Sequence, residues 1–166
     1  IIDDPISLYC KLSLDILPHP QACLLTGITP QLANEKGECE ANFMRIIHKE
    51  FSRPRTCTLG YNSIRFDDEI TRHSFYRNFF DAYEREWQHG NSRWDLLDVF
   101  RAAHALRPHG INWVYDDNGV AIFKLDQLTA ANGILHANAH DALADVYATL
   151  ALAKTLKNAQ PRLFNF

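Results

Sequence analysis

Among the 166 residues there is no apolar run near the roughly 20 residues that a membrane-spanning helix needs. The opening Ile1-Ile2-Asp3-Asp4-Pro5 has neither a basic start nor an apolar signal core, so membrane insertion and secretion are not expected. The four cysteines Cys10, Cys23, Cys39 and Cys57 include no C-x-x-C pair, which removes the common zinc and redox frameworks. They read as four buried free thiols in a reducing cytoplasm. Glycine and proline are sparse at 7 each, which excludes collagen-like and linker chains. Basic excess is also absent: the net charge of -3 does not suit a protein held to nucleic acid by bulk charge, so any such contact is local.

What is present is a core-forming composition, 46% hydrophobic with 22% charged residues dispersed among them, in a length suited to one compact domain. The chain opens without methionine on an alternating stretch, residues 6–12, that reads as a strand followed by a loop through Pro18, Pro20 and Gly27. Such an opening reads as that of a fragment. Thr29-Pro30 starts a short helix that stops near Gly37, and Phe43, Ile46, Ile47 and Phe51 line one face of another that ends before Pro54. Thr56–Leu59 is a short strand closed by Gly60, and from Phe66 the spacing is helical. A strand passes into a helix at Trp94, a turn falls at residues 115–119, and a short helix ends at Gly133. The last element is a helix of about 18 residues, with Leu143, Val146, Tyr147, Leu150, Ala153 and Leu156 as its apolar stripe. Strands alternating with helices, without repeats or a shift in composition, point to an α/β sheet flanked by helices.

Three constellations carry chemistry. In Gly60-Tyr-Asn-Ser-Ile-Arg-Phe-Asp-Asp-Glu, the acids Asp67, Asp68 and Glu69 fall where a glycine turn enters a helix. They either complement the positive helix N-terminus, worth about 0.3–1 kcal/mol, or supply hard oxygen ligands to Mg²⁺. In His136-Ala-Asn-Ala-His140-Asp141-Ala-Leu-Ala-Asp145, His140 and Asp145 lie off the apolar stripe. A metal carboxylate beside a titratable imidazole suits metal-assisted hydrolysis, whereas the plainer reading makes Asn138 a cap, Asp141 and Asp145 solvated acids, and His136 a surface residue.

The third constellation interleaves the arginines 65, 72, 77, 85, 93 and 101 with aromatics. Stacking rings and guanidinium groups are how single strands are held. The acids between them support the alternative of salt-bridged helix faces over an aromatic core. Phe75, Phe79 and Phe100 read as core, Tyr83 and Trp87 as a partly exposed stacking surface.

The blocks Gly60–Glu69, Asn91-Ser-Arg-Trp-Asp-Leu-Leu-Asp, Leu106-Arg-Pro-His-Gly-Ile-Asn-Trp and Asn138-Ala-His-Asp-Ala-Leu-Ala-Asp-Val-Tyr-Ala-Thr occur in order along nearly the whole chain, with Gln160-Pro-Arg-Leu-Phe-Asn-Phe at its end. Together they resemble the bacterial exodeoxyribonuclease I family, in the histidine-type branch of the DEDD exonuclease superfamily. The resemblance implies a ribonuclease H-like mixed sheet and 3′ to 5′ release of mononucleotides from single-stranded DNA by two Mg²⁺ ions, with Mn²⁺ as a substitute, in DNA repair and recombination. It implies metal binding by Asp67 and Asp145, general-base chemistry by His140, and single-stranded DNA contacts at Arg72, Tyr83, Trp87, Arg101, Lys124 and His140. Lys124 replaces an arginine of the family, keeping charge but losing the bidentate fork. The implied partners are single-stranded DNA with a 3′ end and a single-strand-binding protein.

The family pattern opens with an Asp-x-Glu strand that supplies two further carboxylates, and Asp3-Asp4, followed by Pro5, do not match it. Residues 1–166 are therefore expected to be a partial exonuclease domain, lacking its first strand and the family's C-terminal domains. A catalytically incomplete single-strand-binding module, and a related exonuclease acting on RNA or as a proofreader, are the competing readings.

Overall fold

The computed structural model describes residues 4–135 and 142–166. The chain forms two compact units, one made of the chain up to Thr58 with Asp68–Arg93, the other of Leu59–Asp67 with Trp94–Phe166. The mixed α/β expectation holds, and the described strands form two two-stranded sheets.

In the first unit the expected strand over residues 6–12 is reduced to one bridge between Cys10 and Glu38. Its backbone-to-backbone bonds are two, Lys11 N–H to Glu38 O and Glu38 N–H to Tyr9 O, each 2.8 Å, too few to build a ladder, and Leu12 N–H turns instead to the Asn34 side chain at 3.2 Å. The loop expected next contains helix α1 (Pro20–Thr26). Pro20 opens this helix, since proline is favoured at the first helical position; His19 caps it and Gly27, at φ 70°, closes it. Helix α2 (Pro30–Lys36) is capped by Thr29, whose hydroxyl accepts from Leu32 N–H at 3.1 Å, and α3 (Glu40–Phe51) follows as its apolar spacing requires.

Strand β1 (Cys57–Gly60) leads through a 3₁₀ turn at Ser63–Arg65 into α4 (Asp67–Arg77). The end of α4 corrects one expectation. Phe79 adopts φ 64°, its N–H bonds Tyr76 O and the Phe80 N–H bonds Phe75 O, the pattern of a helix closed by a left-handed residue. That reversal turns Phe80 inward to stack on His48 at 4.3 Å and leaves Phe79 99% exposed. Phe75 and Phe100 are fully buried as expected.

Strand β2 (Ser92–Asp95) pairs with β1 and runs into α5 (Leu96–Leu106). In the second unit β3 (Val114–Tyr115) and β4 (Ala121–Ile122) form an antiparallel hairpin across the expected turn, followed by α6 (Leu125–Ala131), α7 (Ala142–Ala159) and α8 (Pro161–Asn165). Leu96, Phe100, Leu128, Leu152 and Leu156 make its apolar core. Helix α7 has the expected 18 residues, but its buried face differs from the expected stripe. Ala148, Thr149, Leu152, Ala153 and Leu156 face inward, while Leu143, Val146 and Tyr147 are exposed. Small side chains at 148 and 153 permit close packing, and Thr149 is accommodated because its hydroxyl donates to Asp145 O at 2.8 Å.

The cysteines are free, but not buried as expected. Cys39 sits outside α3 at its N-cap and Cys57 at the outer start of β1, both exposed, and Cys10 and Cys23 are half-buried. Burial, followed by the nearby Glu40 carboxylate, pushes the Cys10 thiol pKa up.

Candidate active site and nucleic-acid surface

The three acids expected together separate into different environments once α4 forms. Asp67, at its first position, is exposed. Asp68 is buried, accepting from Arg85 Nη2 at 2.7 Å and Arg93 Nη1 at 3.0 Å. Burial pushes the Asp68 carboxyl pKa up, but the hydrogen bonds from Arg85 and Arg93 outweigh it and hold it below the ordinary carboxylate value. Glu69 is exposed and pairs with Arg72 one turn on. Asp68 is therefore a structural ion-pair residue, and Asp67 is exposed at the entrance of α4.

The turn before Asp67 is tightly built. A Cβ on Gly60 would lie 2.5 Å from the Ser63 Cβ, so the bend admits only glycine there, and Asn62 adopts φ 63°. The Asp95 carboxylate accepts from Asn62 N–H at 2.8 Å and Ile64 N–H at 3.2 Å, besides capping α5 through Leu97 N–H at 3.0 Å. Asp95 is not marked as a site residue by the sequence constellations. The available signal was an acid directly before the Leu96-Leu97 start of an amphipathic helix, a capping position.

Asp145 lies half-buried in the first turn of α7. His140, with its neighbours His136, Asn138 and Asp141, lies outside the described residues. Among the described residues no group of three His, Cys, Asp or Glu is assembled to hold a metal ion. Asp67 and Asp145, both in the second unit, offer the hard oxygen donors that a divalent cation such as Mg²⁺ prefers, so they fit such an ion in kind as part of its ligand set.

The expected DNA-contacting side chains divide between the units. In the first, the Arg72 guanidinium donates through Nε and Nη2 to Glu86, both at 2.8 Å, and through Nη1 to Glu69, while lying 5.0 Å over the Tyr83 ring. Arg93 also reaches Glu86, at 3.0 Å, and Arg85 spans Asp68 and Thr58 with its guanidinium over Phe51. Tyr83 and Trp87 are 56% and 66% exposed, flanking the 3₁₀ turn Glu84–Glu86. In the second unit Arg101 donates to Asp98 at 2.8 Å, and Lys124 is exposed at the N-cap of α6.

All six arginines of the interleaved stretch thus pair with carboxylates, Arg65 with Asp98 and Arg77 with Glu40 being the remaining two. The salt-bridged alternative is realised in the same segment that presents the two exposed rings. Arg72 and Tyr83 are in direct contact. Glu86, which ties Arg72 to Arg93, carried no sequence signal, because partner choice among several carboxylates is decided by tertiary structure.

The chain matches the RNase_T family, described as Exonuclease, over residues 1–153. It is 61% identical over all 166 residues to Exodeoxyribonuclease I of Escherichia coli (strain K12) and 60% identical to that of Haemophilus influenzae, in each case covering 35% of the relative. The chain thus spans about a third of the length of these curated relatives. Among solved structures, E. coli Exonuclease I in complex with a dA16 oligonucleotide superimposes with TM-score 0.95 at 62% identity, over 99% of this chain and 35% of that one. An ExoI/SSB-Ct complex does so with TM-score 0.93 at 60% identity, with the same coverage.

Proposed function

The chain belongs to the RNase_T exonuclease family, and we propose that the protein carrying it is a single-strand-specific DNA 3′ to 5′ exonuclease acting in repair and recombination. The observation that carries this reading is the match at about 60% identity and TM-score 0.95, end to end, with an exonuclease solved on an oligonucleotide. Residues 1–166 would contribute Asp67 and Asp145 to a divalent-cation site, with Mg²⁺ as the natural ion and Mn²⁺ as its substitute. When bound, such ions acidify a water and offset charge on the phosphate. Two further carboxylates, of an Asp-x-Glu pair outside this stretch, would complete the ligand set.

His140 would accept the proton of the attacking water, whose oxygen bonds to phosphorus as the P–O3′ bond breaks. The products are a nucleoside 5′-monophosphate and a strand one nucleotide shorter with a free 3′-OH. Tyr83 and Trp87 would stack on bases, supported by Arg72, while Arg101 and Lys124 meet phosphates. No helix among the described residues is long and apolar enough to cross a membrane. Free thiols fit a cytoplasmic location, and a single-strand-binding protein is the proposed protein partner, in keeping with the complexes solved for the relatives.

The test uses a 5′-labelled single-stranded oligonucleotide and the full-length protein, with Mg²⁺ or EDTA. A Mg²⁺-dependent ladder shortening from the 3′ end is expected. Asp145→Ala should abolish it with binding retained, and His140→Ala should slow it about 10²- to 10⁴-fold. Binding without any ladder would instead make the protein a single-strand-binding module, and preferential cleavage of RNA or of a polymerase's mismatched product would move the substrate.

A further inference from the structure

Asp95 ends β2 and caps α5, yet the cap accounts for only one of its three hydrogen bonds. Its other acceptor positions take the N–H groups of Asn62 and Ile64, two residues of the turn that separates β1 from α4. The Asp95 carboxylate is buried, as is its bond to the Leu97 amide, while its bonds to the Asn62 and Ile64 amides are part-buried, so substitution removes an acceptor inside the fold and leaves the Leu97 amide without a partner. Charge-assisted bonds of this kind, from carboxylate to backbone N–H, are about twice as strong as neutral ones.

The same turn is tied at both ends. Tyr61 Oη donates to Phe123 O at 2.7 Å, and burial pushes the Tyr61 phenol pKa far up, keeping it a donor. At the other end Arg65 Nη1 donates to both oxygens of Asp98, at 3.2 and 3.3 Å, an exposed pair of smaller weight. The backbone held in this way is an uncommon one: Asn62 lies in the left-handed region, and a Cβ on Gly60 would meet the Ser63 side chain. Two residues beyond the last tie stands Asp67, the first residue of α4.

We propose that Asp95 is a positioning residue for the Asp67 carboxylate, fixing the Gly60–Phe66 turn so that Asp67 enters α4 at one place and presents its oxygens to the cation in a set geometry. The inference rests on the reading of Asp67 as a metal ligand. Asp95 touches neither cation nor substrate in this role. It acts through the two turn amides of Asn62 and Ile64. Asn at position 95 keeps an oxygen acceptor but places an NH₂ group against one of the amides, and so preserves part of the clamp; Ala removes it.

The experiment titrates Mn²⁺ into the full-length protein without DNA, following free Mn²⁺ by its paramagnetic resonance signal, for the wild type, Asp95→Asn, Asp95→Ala and Asp67→Ala. Substituting outer supports of metal ligands typically costs 10- to 100-fold in affinity, and a loss of about that size is expected for Asp95→Ala, with a smaller one for Asp95→Asn. Single-stranded DNA affinity in EDTA and the far-ultraviolet dichroism should stay unchanged, which a general loss of structure would not allow.

Wild-type Mn²⁺ binding by a folded Asp95→Asn or Asp95→Ala, beside weakened binding by Asp67→Ala, overturns the positioning role alone. Unweakened binding by Asp67→Ala removes the metal-ligand reading on which it stands. Should both Asp95 variants fail to fold, hydrogen exchange in the unsubstituted protein decides. The Asn62 and Ile64 amides exchanging as slowly as those of α5 supports the clamp, and exchange as fast as an open loop overturns it.

Discussion

The two units of this chain are held together by different physics. The second is built around Leu96, Phe100, Leu128, Leu152 and Leu156, all fully buried. In the first, the buried apolar residues among the described ones are Ala33, Met44 and Phe75, and the largest fully buried side chain is Arg85, engaged with Asp68 in a network that runs through Arg93 and Glu86 to Arg72. Apolar burial is non-directional and tolerates imprecise partners, whereas a buried ion pair fails when either member is lost. The proposed metal carboxylates Asp67 and Asp145 belong to the apolar unit, and the proposed stacking residues Tyr83 and Trp87 to the ionic one. On the proposed reading, chemistry that needs fixed ligands falls on the less electrostatically sensitive scaffold.

The sharpest break of this contrast is Asp68→Ala, which removes the hydrogen-bonded carboxylate of the buried Arg85, leaves it only the Glu86 carboxylate, at 3.8 Å, and should cost about 3–5 kcal/mol. Hydrogen exchange would register the loss in α3 and α4 before α5 and α7. Acid should act through the same residue. Its folded pKa is depressed, so its stabilisation is complete above the unfolded value of about 4 and drains away as pH falls through the lower folded value. Urea titrations at neutral and strongly acidic pH should therefore converge for Asp68→Ala and wild type as acid removes the contribution.

Leu152→Ala acts on the other unit, with an expected loss of about 2–5 kcal/mol from the cavity it leaves. Unlike Asp68→Ala, its effect should be the same at both pH values, and a pH-dependent loss would blur the distinction between the units. The smallest change is a gain: Phe79→Gly relieves a left-handed aromatic residue whose ring is in solvent, and should raise the urea midpoint by the equivalent of about 1 kcal/mol.

The elements legible in the sequence were those whose ends are written locally. Thr29-Pro30 and Gly37 bracket α2, the acid cluster after Gly60 marks α4, and the length of α7 follows from its pattern. Helix α1 was hidden because Pro20 serves as a helix start as readily as a turn, and Phe79 because a left-handed helix ending without glycine has no composition signal. On α7 the burial of Ala148 and Thr149 instead of Val146 and Tyr147 reflects which neighbours pack there, a tertiary matter. The site divides similarly. Exposure of Tyr83 and Trp87 among charged neighbours could be read along the chain, but the clamp by Asp95 and the choice of Glu86 as the partner of Arg72 could not.

The most direct test of the proposed division between base stacking in the first unit and metal holding in the second is steady-state hydrolysis of single-stranded DNA by the full-length protein carrying Trp87→Ala or Asp145→Ala. Loss of one stacked base, worth about 1–3 kcal/mol, should raise KM for Trp87→Ala by roughly 5- to 150-fold with kcat unchanged. Asp145→Ala should lose kcat with DNA binding intact. A fall in kcat without a change in KM for Trp87→Ala, or DNA binding lost in Asp145→Ala, would contradict the account.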